Sequence, residues 1–311
     1  MFLHSVDQLL PLFLLIFTGV FLGKKGLLSG QFRREMTDFC FMVLFPASVI
    51  DSFNMESMDL ETILNSGKLI LVGTVWLVLP FVVTIWLVRL FHVKPAAANV
   101  LLFAAVYNNF GFAGLGIISS LYGGDGLLYA NMLGLAYRAS NMPVGVTIME
   151  RGRENRSGSS LLSVAKSPPV AALLVMIPVT LLGLRLPEVV YDTAGMLNDC
   201  LAPMGMMITG MAVSDFSLKD LLRGRLCYLV SFVRLLLLPG LMAGLMLALG
   251  IRGTAFASSL LIMGMPVAAN CSLMAQKYDA DTRLAAQCVL VSTVLSLFTI
   301  PILAAVGGKF L

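Results

Sequence analysis

Charge is scarce in this chain. Lys, Arg, Asp and Glu together make up 12% of its 311 residues, where a soluble globular domain carries about 25%, so an ordinary water-facing surface is excluded. Histidine is scarcer still. His4 and His92 are the whole complement and both flank apolar runs; neither belongs to an H-E-x-x-H pair, and no G-x-S-x-G elbow occurs. An intramembrane enzyme would need catalytic groups at membrane depth, so the chain does not read as an enzyme. Five cysteines, Cys40, Cys200, Cys227, Cys271 and Cys288, are scattered through apolar segments without paired spacing. They read as small packing residues, with no disulfide framework, metal site or cofactor implied.

What the chain has instead is apolar length. Hydrophobic residues make up 58% of it and the mean hydropathy is +0.91, the composition of an all-α polytopic membrane protein. Helical spans of about 20 apolar residues fit at ten places, roughly 8–23, 36–53, 68–88, 96–122, 127–149, 168–184, 190–213, 226–249, 254–276 and 284–307. These runs exceed strand length and lack the alternation of a membrane barrel. The first is not a cleaved signal peptide, because Lys24 and Lys25 follow it rather than precede it.

The net charge of +4 would suggest a nucleic-acid partner in a soluble protein, but here the cations set orientation. Of the 21 Lys and Arg, fifteen fall in one set of alternate loops and four in the other set with the termini; the last two, Arg138 and Arg234, lie inside spans. That bias places the first set in the cytoplasm and both termini outside. The connector at 151–167, rich in Gly, Ser and Arg, reads as a cytoplasmic linker between halves at 1–150 and 168–311. Five spans per half is an odd number, so any similarity between the halves is an inverted repeat, as in secondary transporters.

The fourth span of each half carries helix-breaking chemistry. In the first half it is Asn108-Asn109-Phe110-Gly111-Phe112-Ala113-Gly114-Leu115-Gly116, and in the second Gly264-Met265-Pro266-Val267-Ala268-Ala269-Asn270. Glycines loosen a helix and Pro266 removes a donor, and lipid satisfies none of the freed backbone groups. Such segments therefore belong at a protein-lined cavity near the membrane midplane. Asn109, Asn270 and Asn108 are the leading ligand contacts, since an amide donates without a net charge and can hold a carboxylate yet release it. The plainer reading is that they cap the broken ends or hydrogen-bond neighbouring spans. Half-helix N-termini would add backbone N–H groups and a positive dipole end, both favouring an anion.

Other polar residues divide less sharply. Arg138, in Tyr137-Arg138-Ala139-Ser140-Asn141, and Arg234 either attract an anionic substrate or pair structurally with a carboxylate or with carbonyls freed at a helix break, and Arg234 lies near enough to the cytoplasmic end to snorkel. Asn141 is the next candidate contact. Asp38 and Asp199 could carry a proton or cation, or could be ordinary solvated carboxylates near span ends; Asp51 and Asp215 read as interfacial. No central carboxylate pair stands out, so coupling stays open. Gly19/Gly23 and Gly240/Gly244 match the small-xxx-small pattern of close helix approach. A channel is an alternative, but paired breaks in inverted halves suit alternating access better.

In order and spacing, these motifs resemble the auxin efflux carrier family of bacterial permeases, relatives of plant PIN-type carriers. Asn109-Phe110-Gly111-Phe112-Ala113-Gly114-Leu115-Gly116 is similar to one family crossover, and Pro266-Val267-Ala268-Ala269-Asn270 followed by Ala275-Gln276-Lys277-Tyr278 to the other. Lys24-Lys25-Gly26-Leu27-Leu28, Ser167-Pro168-Pro169 and Arg234-Leu235-Leu236-Leu237-Leu238-Pro239 also fit. Gly116 stands where the family often has proline. The resemblance implies ten helices in two inverted five-helix repeats, with spans 4 and 9 broken at Gly111, Gly114, Gly116 and Pro266. It implies an elevator mechanism in the bacterial inner membrane, a scaffold of spans 1, 2, 6 and 7 that often dimerises, and a small organic anion, a mono- or dicarboxylate, as substrate. A sodium-coupled class resembling bile-acid symporters shares the implied fold.

Overall fold

A chain surrounded by hydrocarbon must satisfy its backbone internally, and helices do so within one segment. The computed structural model describes residues 2–52, 67–110, 114–151, 168–182, 184–214 and 224–311, and these are almost all helical. In chain order the helices are α1 (Phe2–Lys24), α2 (Gly30–Phe39), α3 (Phe45–Ser52), α4 (Gly67–Leu90), α5 (Pro95–Val106), α6 (Leu115–Leu133), α7 (Leu135–Glu150), α8 (Pro168–Leu181), α9 (Glu188–Ser214), α10 (Arg225–Phe232), α11 (Leu238–Ala248), α12 (Gly253–Met263), α13 (Asn270–Lys277) and α14 (Thr282–Gly308). Three stretches, Gly67–Leu90, Arg225–Ala248 and Thr282–Gly308, are each long and apolar enough to cross a membrane. Their exposed faces carry Val82, Trp86, Phe298 and Ile302, an outer surface suited to lipid. The protein is a multi-pass membrane protein. Gly111 and, apart from Arg151, the connector at 151–167 lie outside the described residues.

Two joints inside spans share one cause. Cys40–Leu44 joins α2 to α3 and Val233–Leu237 joins α10 to α11, each as a wide π-helical turn. Phe45 N–H bonds back to the Cys40 carbonyl and Leu238 N–H to that of Val233. Pro46 and Pro239 follow directly. A proline ring clashes with the carbonyl four residues earlier, and a widened turn relieves that clash without ending the helix. The loop expected between 122 and 127 is a sharper device. At Gly123 the backbone turns to φ 61°, ψ −149°, a conformation open to glycine and few other residues.

Two sets of helices make the most extensive contacts, and α9 and α1 also pack across onto α14. The most extensive contact runs between α1 and α9; α9 also packs on α3, and α3 on α8. Gly19 and Gly210 make the first approach possible, because a side-chain carbon on Gly19 would strike the Met207 carbonyl and one on Gly210 the Ile16 carbonyl. Gly240 and Gly244 have open space around them, so the second small-residue pair does not mark a close crossing within the chain. In the other group α12 packs against α6 and α14, α10 against α14, and α4 against α5.

Candidate functional site

Both helix breaks expected from sequence occur, and they meet. After Val106 the chain turns extended at Tyr107 (φ −101°, ψ 121°), and helix resumes at Leu115. Opposite it, α12 stops at Met263 with Gly264 as its cap, and α13 starts at Asn270. The two extended segments run antiparallel, with Asn108 beside Val267. Asn109 N–H donates to the Pro266 carbonyl at 2.8 Å and Ala268 N–H to the Tyr107 carbonyl at 3.2 Å. Each interruption thus satisfies the other, as backbone at membrane depth must. Gly114 sits close under this approach: a methyl there would come 2.7 Å from Ile262 Cδ1, which would have to shift.

The remaining freed groups find side chains. Val267 N–H donates to Ser292 Oγ at 3.0 Å. The Ile262 carbonyl accepts from Asn108 Nδ2 at 2.5 Å, and the Asn108 carbonyl from the Tyr137 hydroxyl at 2.6 Å. Arg234 Nη1 donates to the Ala105 carbonyl at 3.0 Å. That places a cation on the C-terminal end of α5, where the helix dipole is negative. Arg234 is 0% exposed and lies 5.4 Å from the Trp76 ring centre, so it does not snorkel to an interface. Trp76 stacks on Tyr137 at 5.1 Å, and Tyr137 meets both Tyr107 and Phe110 at 5.4 Å. Gly134 leaves room for the Phe110 ring.

This pairing changes the expected chemistry of the break. Among the first backbone donors after each interruption, Phe110 bonds Asn108, Gly114 bonds Asn109, Cys271 bonds Ala268 and Ser272 bonds Ala269. Those four amides are occupied, so they are not among the free half-helix donors expected from sequence. Side-chain atoms take their place. Asn109 Nδ2, Asn108 Oδ1, Asn141 Oδ1 and Asn270 Oδ1 are buried with no hydrogen-bond partner among the described residues. All four residues line one cavity of about 490 Å³, inside the size range of small-molecule sites.

The cavity has a second wall. Phe45, Ser48, Val49 and Asp51 reach it from α3, and Asn198, Asp199 and Leu201 from α9. Asn198 Nδ2 donates to Asp51 Oδ2 at 2.9 Å, which holds that carboxylate at the cavity edge. Asp38 is elsewhere. It forms an ion pair with Lys277, next to Phe41, whose ring lies 5.8 Å from Lys277 Nζ and 5.8 Å from the Tyr278 ring.

A family model described as a membrane transport protein matches residues 4–161 and 153–304. The chain belongs to that family. This is the auxin efflux carrier family indicated by the crossover motifs. The membrane transport protein is 25% identical over 307 residues to an uncharacterized transporter of Methanothermobacter thermautotrophicus, covering 97% of this chain and 98% of the relative. It is 23% identical over 302 residues to the uncharacterized transporter MJ1031 of Methanocaldococcus jannaschii, with 95% and 96% covered. To the uncharacterized transporter YfdV of Escherichia coli K12 it is 22% identical over 307 residues, with 96% of each covered.

The transporter brings four of its five sequence-predicted contacts, Asn108, Asn109, Asn141 and Asn270, to one cavity. The side chain of the fifth, Arg138, lies outside the described residues. Of the crossover residues, Pro266 accepts from Asn109, Gly114 caps α6, and Gly116 is the second residue of that helix. The sequence motifs did not single out Asn198, Trp76 or Tyr137 for a role at the site, and gave Asp51 only an interfacial one. Trp76 carried a signal: it lies in the middle of an apolar run, whereas membrane tryptophans gather at interfaces.

Proposed function

We propose that this transporter is a secondary permease that carries a small carboxylate across the cytoplasmic membrane by alternating access. The observation that carries the reading is the cluster of unpaired amide atoms on Asn108, Asn109, Asn141 and Asn270 at the meeting of two broken helices. Buried polar atoms without partners are costly; Asn109 Nδ2 is a donor that a carboxylate oxygen satisfies, while the three amide oxygens accept from N–H or O–H groups of a ligand. The guanidinium of Arg234 behind the Trp76–Tyr137 stack adds positive potential from the crossover side.

In this reading residues 1–150 and 168–311 are two inverted five-helix repeats, and both termini lie outside. The grouping of α1, α3, α8 and α9 supports a scaffold of spans 1, 2, 6 and 7, against which spans 3–5 and 8–10 move as an elevator. Both non-crossover walls of the cavity then belong to outer halves of spans, so the cavity opens outward. The Asp38–Lys277 pair bridges the two groups on the cytoplasmic side.

Purified protein in liposomes, given labelled monocarboxylates and dicarboxylates in uptake and counterflow assays, tests the proposal. Saturable carboxylate movement, lost in Asn109→Ala, is the expected result. Saturable transport of neutral sugars or inorganic cations alone would sink it.

A further inference from the structure

We infer that the preferred substrate is a zwitterion, a small molecule that presents a cationic group together with its carboxylate. This rests on the reading of the crossover amides as the carboxylate site and adds a second subsite, at Asp51 and Asp199.

The cavity is electrically two-sided. On the crossover side Asn109 and Asn270 line it, and Arg234 lies against Trp76, which stacks on the cavity-lining Tyr137. No carboxylate among the described residues pairs with Arg234, and its Nε and Nη2 find no acceptor there. The other wall presents the carboxylates of Asp51 and Asp199, with Asp51 held by Asn198. An independent sign that the space takes a ligand is Asn109, 6% exposed, whose Nδ2 lines the cavity with no partner among the described residues.

A simple carboxylate would enter a space edged by the half-buried Asp51 and the exposed Asp199, whose like charges oppose it. A molecule with charges of both signs meets favourable potential on each wall. A separate metal co-ion is the competing occupant of that wall, since a hard cation takes carboxylate and amide oxygens alike, and the gradient arm of the test below distinguishes it. An ammonium group needs only a few acceptors, and a carboxylate on a cavity wall provides them.

Full-length protein in liposomes is assayed with matched pairs that differ only in the amino group: labelled alanine against propionate, γ-aminobutyrate against butyrate, and glutamate against glutarate. The expected result is that at least one zwitterion is taken up at least about tenfold better than its partner, with no sodium or pH gradient imposed. In Asp51→Asn the KM for that zwitterion rises roughly tenfold to a hundredfold, the usual effect of losing a charge-assisted bond. Uptake of its deaminated partner is unchanged or improved, and Asp51→Glu recovers part of the preference. Asp199→Asn and thermal unfolding of each variant separate recognition from misfolding.

Equal uptake within every pair, no uptake of any pair, or a preference that survives both Asp51→Asn and Asp199→Asn overturns the inference. So does uptake of the deaminated acids that requires a sodium or proton gradient and loses that requirement in Asp51→Asn, because the positive charge is then a separate co-ion. Failure of the underlying carboxylate site looks different: Asn109→Ala and Asn270→Ala would leave uptake intact whatever the Asp51 variants do.

Discussion

Arg234 donates to the carbonyl of Ala105, 129 residues earlier in the chain, and so closes the broken end of α5 with a buried cation. The guanidinium also lies against Trp76, so both shape and charge hold it. Arg234→Met leaves the Ala105 carbonyl without this donor and should destabilise the protein by about 1.5–3 kcal/mol. Arg234→Lys should recover only part, since an ammonium lacks the planar face that stacks on Trp76. Thermal unfolding in detergent measures both.

Asn109 and Asn270 come from different halves of the chain and line one cavity. Asn109→Ala and Asn270→Ala should each weaken carboxylate binding by roughly 1–3 kcal/mol. The double variant should lose less than the sum, because groups sharing a ligand are coupled. Met206→Leu and Met211→Leu, buried in α9, should leave affinity nearly unchanged. Equilibrium binding to purified protein decides it; normal affinity with lowered stability would make the amides structural caps.

Gly114 faces Ile262 across the crossover. Gly114→Ala should cost about 1–3 kcal/mol through overpacking, and Ile262→Val, which removes the methyl nearest the new carbon, should restore part of that loss. Simple additivity of the two changes in unfolding experiments would argue against the contact.

Asp38 and Lys277 pair across the two helix groups, with side chains 50% and 34% exposed. A pair that wet should contribute no more than about 1 kcal/mol to stability. Asp38→Asn should therefore barely move the unfolding temperature, yet should raise the labelling rate of a cysteine placed near Tyr278 on the cytoplasmic side. An unchanged rate would show that the pair holds nothing closed.

Topology is tested without any substrate. In a cysteine-free background, Ser57→Cys should react with an impermeant reagent from outside and Gly158→Cys only after permeabilisation. Reaction of both from one side breaks the ten-span, inverted-repeat reading.

The sequence by itself determined the class of the protein and where its helices fail. Composition left too little charge for a soluble surface, and Gly114 and Pro266 are local facts of backbone chemistry, true in any fold. Asn108, Asn109 and Asn270 could be singled out because amides beside glycine and proline are conspicuous in an apolar run. Only the tertiary structure decided what those breaks do. The extended segments pair with each other, through Asn109 with Pro266 and Ala268 with Tyr107, which occupies those two backbone donors, and the side chains of Asn109 and Asn270 line the cavity. The same holds for charge. Arg234, near the end of its span, looked free to reach the interface, and Asp51, at a span end, looked interfacial. Which carbonyl, ring or amide lies beside each depends on residues over a hundred positions away, and no local pattern encodes that distance.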